Sequence, residues 1–176
     1  MNNPSESLSF PQAISATQTL MEQMKIGNLT EDEIAAKLSS LLSNKQGGRG
    51  FFVAYLTSDL SLADRPSPGV IRGLKASSEI STELLVKNLA MSSAMVVAHN
   101  RNGDREGVAG SQKVWRRTLN TIEQLKSQSI QSELQKLNLT IQSGGGEYEE
   151  FLKRWNYDEE QRKAIQKSIA NLAYLT

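Results

Sequence analysis

The sequence contains no cysteine. That excludes disulfides, thiol nucleophiles and thiolate metal ligands, and it fits a reducing compartment. It contains one histidine, His99, so no multi-histidine metal site can form within one chain. Aromatic residues make up 6% of the 176 residues, and only four are proline. Charge of one sign is also lacking: 20 Lys and Arg stand against 19 Asp and Glu, a net +1. A balance of this kind argues against an overall electrostatic surface for nucleic acid or membrane. No apolar run approaches the roughly 20 residues of a membrane-spanning helix. The first ten residues are polar and lack both a basic start and an apolar stretch, so they do not form a signal peptide. Together these absences predict a soluble, cytoplasmic chain with no cofactor, no metal and no membrane partner. The Asn-Leu-Thr triplets at Asn28 and Asn138 match a glycosylation acceptor but carry no weight without a secretory route.

What is present is helical patterning. Residues 1–9 are polar and read as a flexible tail, and residues 10–176 as a single all-α domain of about six or seven helices. Phe10-Pro11 opens the first helix, with Pro at a tolerated early position, and Gly27 ends it as a left-handed cap. Thr30 followed by Glu33 is a capping box. Ile34, Leu38, Leu41 and Leu42 make one apolar stripe behind it. Gly47, Gly48 and Gly50 are expected to end that helix. Phe51–Leu56 is apolar on every side and suits strand or helix by periodicity; without a partner strand, a short helix is the expectation. Pro66, Pro68, Gly69 and Gly73 predict a loop over Arg65–Lys75.

Residues 88–100 carry no charge at all. They form the second half of a helix over 79–100, which is expected to be buried all round at the centre of the domain, with Ala and Ser admitting close neighbours. A Gly-rich loop over Arg101–Gly110 follows. Ser111 is expected to cap a long helix or helix pair at 111–142, with Trp115, Leu119, Ile122, Ile130, Leu134, Leu137 and Ile141 on one side and any break near Ser127–Ser129. Gln124, Gln128, Gln131 and Gln135 line its polar side, and Gly144-Gly145-Gly146 stops it. A short helix around Tyr148–Trp155 and a last helix with Ile165, Ile169 and Leu172 complete the chain. Asn156 with Glu159 is read as the cap of that last helix. Ala-Tyr-Leu-Thr occurs at 54–57 and 173–176 with no similarity around it, and is coincidence rather than a repeat.

Candidate chemistry concentrates in the middle third, where residues 49–117 hold ten Lys and Arg against six Asp and Glu. Arg65, Arg72 and Lys75 lead to a helix start at Ser77 or Ser78, and arginines beside a helix N-terminus make an anion site. Arg101, Arg105, Arg116 and Arg117 flank the second Gly-rich segment with Lys113, and Trp115 beside Arg116 and Arg117 has the composition of an interface hot spot. These same charges also suit ordinary solvated surface, and Trp115 suits a core. Gly107–Lys113 lacks the Gly-Lys-Ser/Thr order of a phosphate loop. Asn100, Asn102 and Asp104 lack the distal acidic residue of a calcium loop. His99 with Asp104 could serve as a base and its orienter, with Ser92 or Ser93 as nucleophile, but serines on a core helix are explained by packing. The function expected is therefore non-enzymatic. The chain reads as a macromolecule-binding protein (an adaptor, regulator or assembly factor) acting on another protein, or on itself as a homo-oligomer. The alternative is nucleic-acid or anionic-ligand binding through arginine-bearing loops at 65–75 and 101–117. An enzyme using His99 is the third reading.

Overall fold

A computed structural model of the protein describes residues 8–172. All but the last two residues of the expected tail lie outside that range, as does the second Ala-Tyr-Leu-Thr. The described chain is all α, with no strand. Among the described residues nine α-helices form rather than six or seven, because several glycines expected to break helices lie inside them.

In the first five, α1 is Phe10–Ile26, α2 Glu31–Leu41, α3 Lys45–Thr57, α4 Pro68–Ala76 and α5 Ser78–Arg101. The expected signals at the first helices hold. Gly27 adopts φ 79° as the left-handed cap of α1. Thr30 and Glu33 exchange both bonds of the capping box at α2. A second capping box, Ser9 with Gln12, opens α1.

The described residues fall into two compact units, 8–84 and 85–172, and the boundary lies within α5. In the first unit α1 packs on α3 and α2 on α4. Both contacts are made through glycine. A Cβ on Gly50 would sit 2.5 Å from the Ala13 Cβ and 2.8 Å from the Phe10 carbonyl oxygen, so α3 and α1 meet almost backbone to backbone. On α4, Gly69 and Gly73 lie one turn apart and face α2: added Cβ atoms would fall 2.3 Å from the Glu31 carbonyl oxygen and 2.9 Å from the Leu38 Cβ. Gly47, Gly48 and Gly50, expected to stop α2, are therefore buried inside α3, and residues 68–75 of the expected loop are helix. The propensity cost of these glycines, about 1 kcal/mol each, is offset by contact that no other residue permits. Phe51 and Tyr55 of α3 stack with ring centroids 5.0 Å apart and are buried, as is Phe52.

In the second unit α6 is Arg105–Leu125, α7 Gln128–Ser143, α8 Glu149–Arg154 and α9 Glu159–Ala170. The expected long element is a pair. Lys126 takes the left-handed conformation, φ 46°, and Ser127 caps α7, which places the break beside the expected serines. α6 starts earlier than expected, because Asp104 rather than Ser111 caps it, so most of the Gly-rich segment 101–110 is helix. Asp158 with Gln161, not Asn156 with Glu159, forms the cap of α9. Leu85, Val86, Leu89, Ala90 and Ala94 of α5 are buried, as are Ile122, Leu134, Leu137, Ile165 and Ile169. The charge-free stretch is not buried all round: Met95 is 38% exposed, and Val96, Val97 and Ala98 are only partly covered. Among the described helices α5 alone is long and apolar enough to cross a membrane, by length and composition only, and half of that window is buried.

Glycines in contact and glycines in open space should respond oppositely to substitution. Gly73→Val is expected to destabilise the protein by about 1–3 kcal/mol through overpacking against Leu38. Gly110→Ala, inside α6 with nothing within 4 Å of the added Cβ, is expected to stabilise by about 0.5–1 kcal/mol. Urea unfolding of the two variants against the parent checks both signs.

Candidate functional site

The seven cations and one tryptophan singled out from the sequence meet different fates. On the first unit, Arg65 and Lys75 are exposed, while Arg72 donates from Nη2 to Asp32 Oδ1 at 2.8 Å. The helix that follows Arg65 is α4, and its N-terminus already holds an anion. The Glu31 carboxylate accepts from the Ser67 hydroxyl at 2.8 Å and from the Gly69 N–H. An anion site at this end of α4 is thus filled by the chain's own side chain.

On the second unit, Arg105 and Arg116 are exposed, whereas Arg117 is buried and has interaction partners, so it is no free cation. Arg101 reaches across to α9. Its guanidinium donates to Asp158 with both Nη atoms and to Glu160 with Nε and Nη2, two forked pairs on one side chain. These bonds raise the Arg101 pKa further and hold the Asp158 carboxyl down at about 2, with the Gln161 N–H assisting. Arg101 thus joins the end of α5 to the start of α9, where Asp158 is also the cap.

Within the turn between α5 and α6, the Asp104 carboxylate does two jobs. Oδ1 accepts the Gly107 N–H at 2.9 Å, and Oδ2 lies 2.7 Å from His99 Nδ1. The Gly107 bond first, then the histidine, lower the Asp104 pKa. A Cβ on Gly107 would fall 2.3 Å from His99 Nδ1, so the imidazole is seated on the first turn of α6. The carboxylate expected beside His99 is present, but the serines are occupied elsewhere. The Ser92 hydroxyl donates to the Asn88 carbonyl at 2.7 Å, and Ser93 donates to the Leu89 carbonyl at 2.6 Å. Among the described residues no group of three or more His, Asp or Glu could hold a metal ion.

Trp115 is half-buried and anchored. Its indole N–H donates to Ser168 Oγ at 2.8 Å, and Ser168 Oγ lies 2.7 Å from Ser93 Oγ. This short polar chain links α5, α6 and α9 through two buried serines.

The sequence singled out the glutamines of 111–142 but not the residue at their centre. The exposed side of α7 consists of Gln128, Ser129, Ser132, Gln135, Leu139, Gln142 and Ser143, with no charge among them. Leu139 is 61% exposed. The two charged residues of α7 are both partly buried and tied off laterally. Glu133 accepts from the Tyr148 hydroxyl and from Lys136, both at 2.8 Å, and Lys136 also meets Glu147 at 3.1 Å. The Lys136 bond is the larger cause holding the Glu133 carboxyl below its usual range. The helical spacing of the glutamines was the available signal, and at about 3.6 residues per turn it also sets Leu139 opposite the buried stripe of Ile130, Leu134 and Leu137.

The chain is similar, over residues 9–172, to a protein family whose description reads Uncharacterised conserved protein UCP020893. No curated protein matches it, and no solved structure does.

The Asp158 carboxyl is ordinarily half-protonated near pH 4 and is held at about 2 in the fold. Its folded pKa is depressed, so the Arg101 clamp contributes stability above about pH 4 and loses it as pH falls through about 2. Arg101→Ala is expected to return the Asp158 titration toward pH 4, read by carboxyl-carbon NMR, and to flatten the acid dependence of stability in that window.

Proposed function

That match spans nearly the whole chain, so the chain belongs to this family, and we propose that it is a cytoplasmic, non-enzymatic protein that binds another protein through a helical surface. The observation that carries this reading is Leu139, exposed among the glutamines and serines on the outer face of α7. A large aliphatic side chain 61% in water, with Gln135, Gln142 and Ser143 around it and the nearby Lys136 paired to Glu133 and Glu147, has the composition of an interface centre, where charged residues are depleted. Trp155, 48% exposed at the end of α8, and Met95 on α5 add exposed apolar groups to the same unit.

Catalysis finds less support. His99 and Asp104 have a visible structural duty in closing the α5–α6 turn, and the nearby serine hydroxyls are bonded to backbone carbonyls. Binding of a nucleic acid or other polyanion needs several uncommitted cations together. Arg72 and Arg101 are paired with carboxylates and Arg117 is buried, so three of the seven cations are already committed. The apolar composition of α5 is accounted for by its buried face.

Leu139→Glu is the direct test. Placed on the exposed face, it is expected to leave the circular dichroism spectrum and melting temperature unchanged. It is also expected to abolish protein–protein association, measured by quantitative cross-linking and affinity capture against the parent chain. Equal capture by parent and variant would count against the α7 surface. Salt-sensitive retention on an oligonucleotide resin, lost in Arg105→Glu with Arg116→Glu, would favour the polyanion reading instead.

A further inference from the structure

We propose that Asn102 is a self-modification site: the Gly103 backbone nitrogen attacks its carboxamide, and the isoaspartate that results loosens the turn holding His99 against Asp104. Asn102-Gly103 is the only Asn-Gly pair in the sequence. Both residues lie just past the end of α5, and both are exposed. The reaction favours a glycine after the asparagine, because a side chain there would crowd the attacking nitrogen. Nothing lies within 4 Å of a Cβ added to Gly103, so the surrounding structure adds no crowding of its own. Among the described residues no hydrogen bond holds the Asn102 carboxamide. Other asparagines differ on both counts. Asn44 caps α3 and precedes Lys45, and Asn138 accepts from Gln166 and precedes Leu139.

The step balances with water as its only co-reactant. The Gly103 amide gives up its proton to solvent base. Its nitrogen bonds to Asn102 Cγ, the Cγ–Nδ2 bond breaks, and the side-chain nitrogen leaves as ammonia. Water then opens the resulting succinimide ring. Attack at Cγ leaves aspartate in an ordinary backbone. Attack at the main-chain carbonyl carbon leaves isoaspartate, in which the chain runs through the side-chain carbons. In the folded chain the Gly103 N–H donates to the Asn100 carbonyl at 3.1 Å, and that bond must open first. Helix ends open at little cost in free energy, so the fold paces the reaction without preventing it.

The place of this pair in the fold gives the change its effect. The Gly103 N–H bond to Asn100 and the Asp104 N–H bond to the His99 carbonyl, 3.0 Å, close α5 in the Schellman pattern. Both depend on the number of backbone atoms between His99 and Asp104, and isoaspartate adds one carbon to that path. It also sets a carboxylate at the C-terminal end of α5, where the helix dipole disfavours negative charge. On its other side Asp104 is fixed to α6 through the Gly107 N–H at 2.9 Å. The displacement therefore falls on the 2.7 Å contact between Asp104 Oδ2 and His99 Nδ1.

The experiment ages the full chain in mildly alkaline buffer and follows it by peptide mapping, with electron-transfer fragmentation to separate isoaspartate from aspartate. The expected result is loss of the parental form at Asn102 ahead of every other asparagine. That loss should quicken as pH rises, because the amide must shed its proton, and should be arrested in Asn102→Gln. The chain has one histidine, so its imidazole NMR signals read the turn directly. In the isolated isoaspartate form they are expected to shift toward their position in the urea-unfolded chain, with a lowered urea midpoint. Asn102→Asp, which adds the charge without the extra carbon, is expected to keep them near the parental position. An Asn102 that converts in urea but stays intact in the folded chain overturns the proposal. So does an isoaspartate form whose His99 signals match the parent, and so does Asn102→Asp reproducing the full shift, because the longer backbone is then not its cause.

Discussion

Close approach of helix backbones is the constraint on which this structure depends. With few aromatics and no disulfides, the first unit gains its packing by bringing α3 against α1 at Gly50 and α4 against α2 at Gly69 and Gly73. Each of these contacts removes the space that a single methyl group would need. The rings of Phe51, Phe52 and Tyr55 on α3 are buried in the same unit. The second unit uses a polar version of the same economy. Ser93 and Ser168 are small enough to bring α5 and α9 within hydrogen-bonding range of each other, and Trp115 from α6 closes the third side. Because buried hydroxyls are costly when unpaired, this arrangement fixes the register of the three helices as well as their distance.

The ends of α5 and α6 show how the remaining charge is spent. Asp104 caps α6 and receives His99, and Arg101 ties the last turn of α5 to the acidic start of α9. Carboxylates at helix N-termini and an arginine at a helix C-terminus each lie where the backbone dipole favours them. The basic middle third is therefore largely an internal fastening. Its outward remainder includes Arg65, Lys75, Arg105 and Arg116.

Much of the fold was legible where a signal had one physical meaning. Thr30 with Glu33, Gly27, the triple glycine after α7 and the break beside Ser127 all acted as local backbone chemistry requires. The sequence misled where one residue type serves two purposes. Glycine ends helices when it takes a positive φ, as Gly27 and Gly144 do, but Gly50, Gly69 and Gly73 lie in ordinary helix and exist for contact. Which applies depends on a neighbour distant in sequence, Ala13 or Leu38, that no local pattern reveals. The same holds for the candidate site. Arg72, Arg101 and Trp115 were recognisable as special, but their partners Asp32, Asp158 and Ser168 lie 40, 57 and 53 residues away along the chain. Leu139 lies opposite the buried stripe by helical spacing, so its exposure was legible in the sequence beside the glutamines that share its face.

The Glu31 carboxylate at the start of α4 carries a consequence of its own. A helix end of this kind ordinarily recruits an anion from solution, and here the occupant is tethered a short distance away on α2. Tethering sets an effective concentration of millimolar or more. A dissolved phosphate or carboxylate thus meets a resident competitor that never diffuses away. The basic residues that follow on α4 are screened from that role by the chain itself, so selectivity against small anions is written into the packing of two helices.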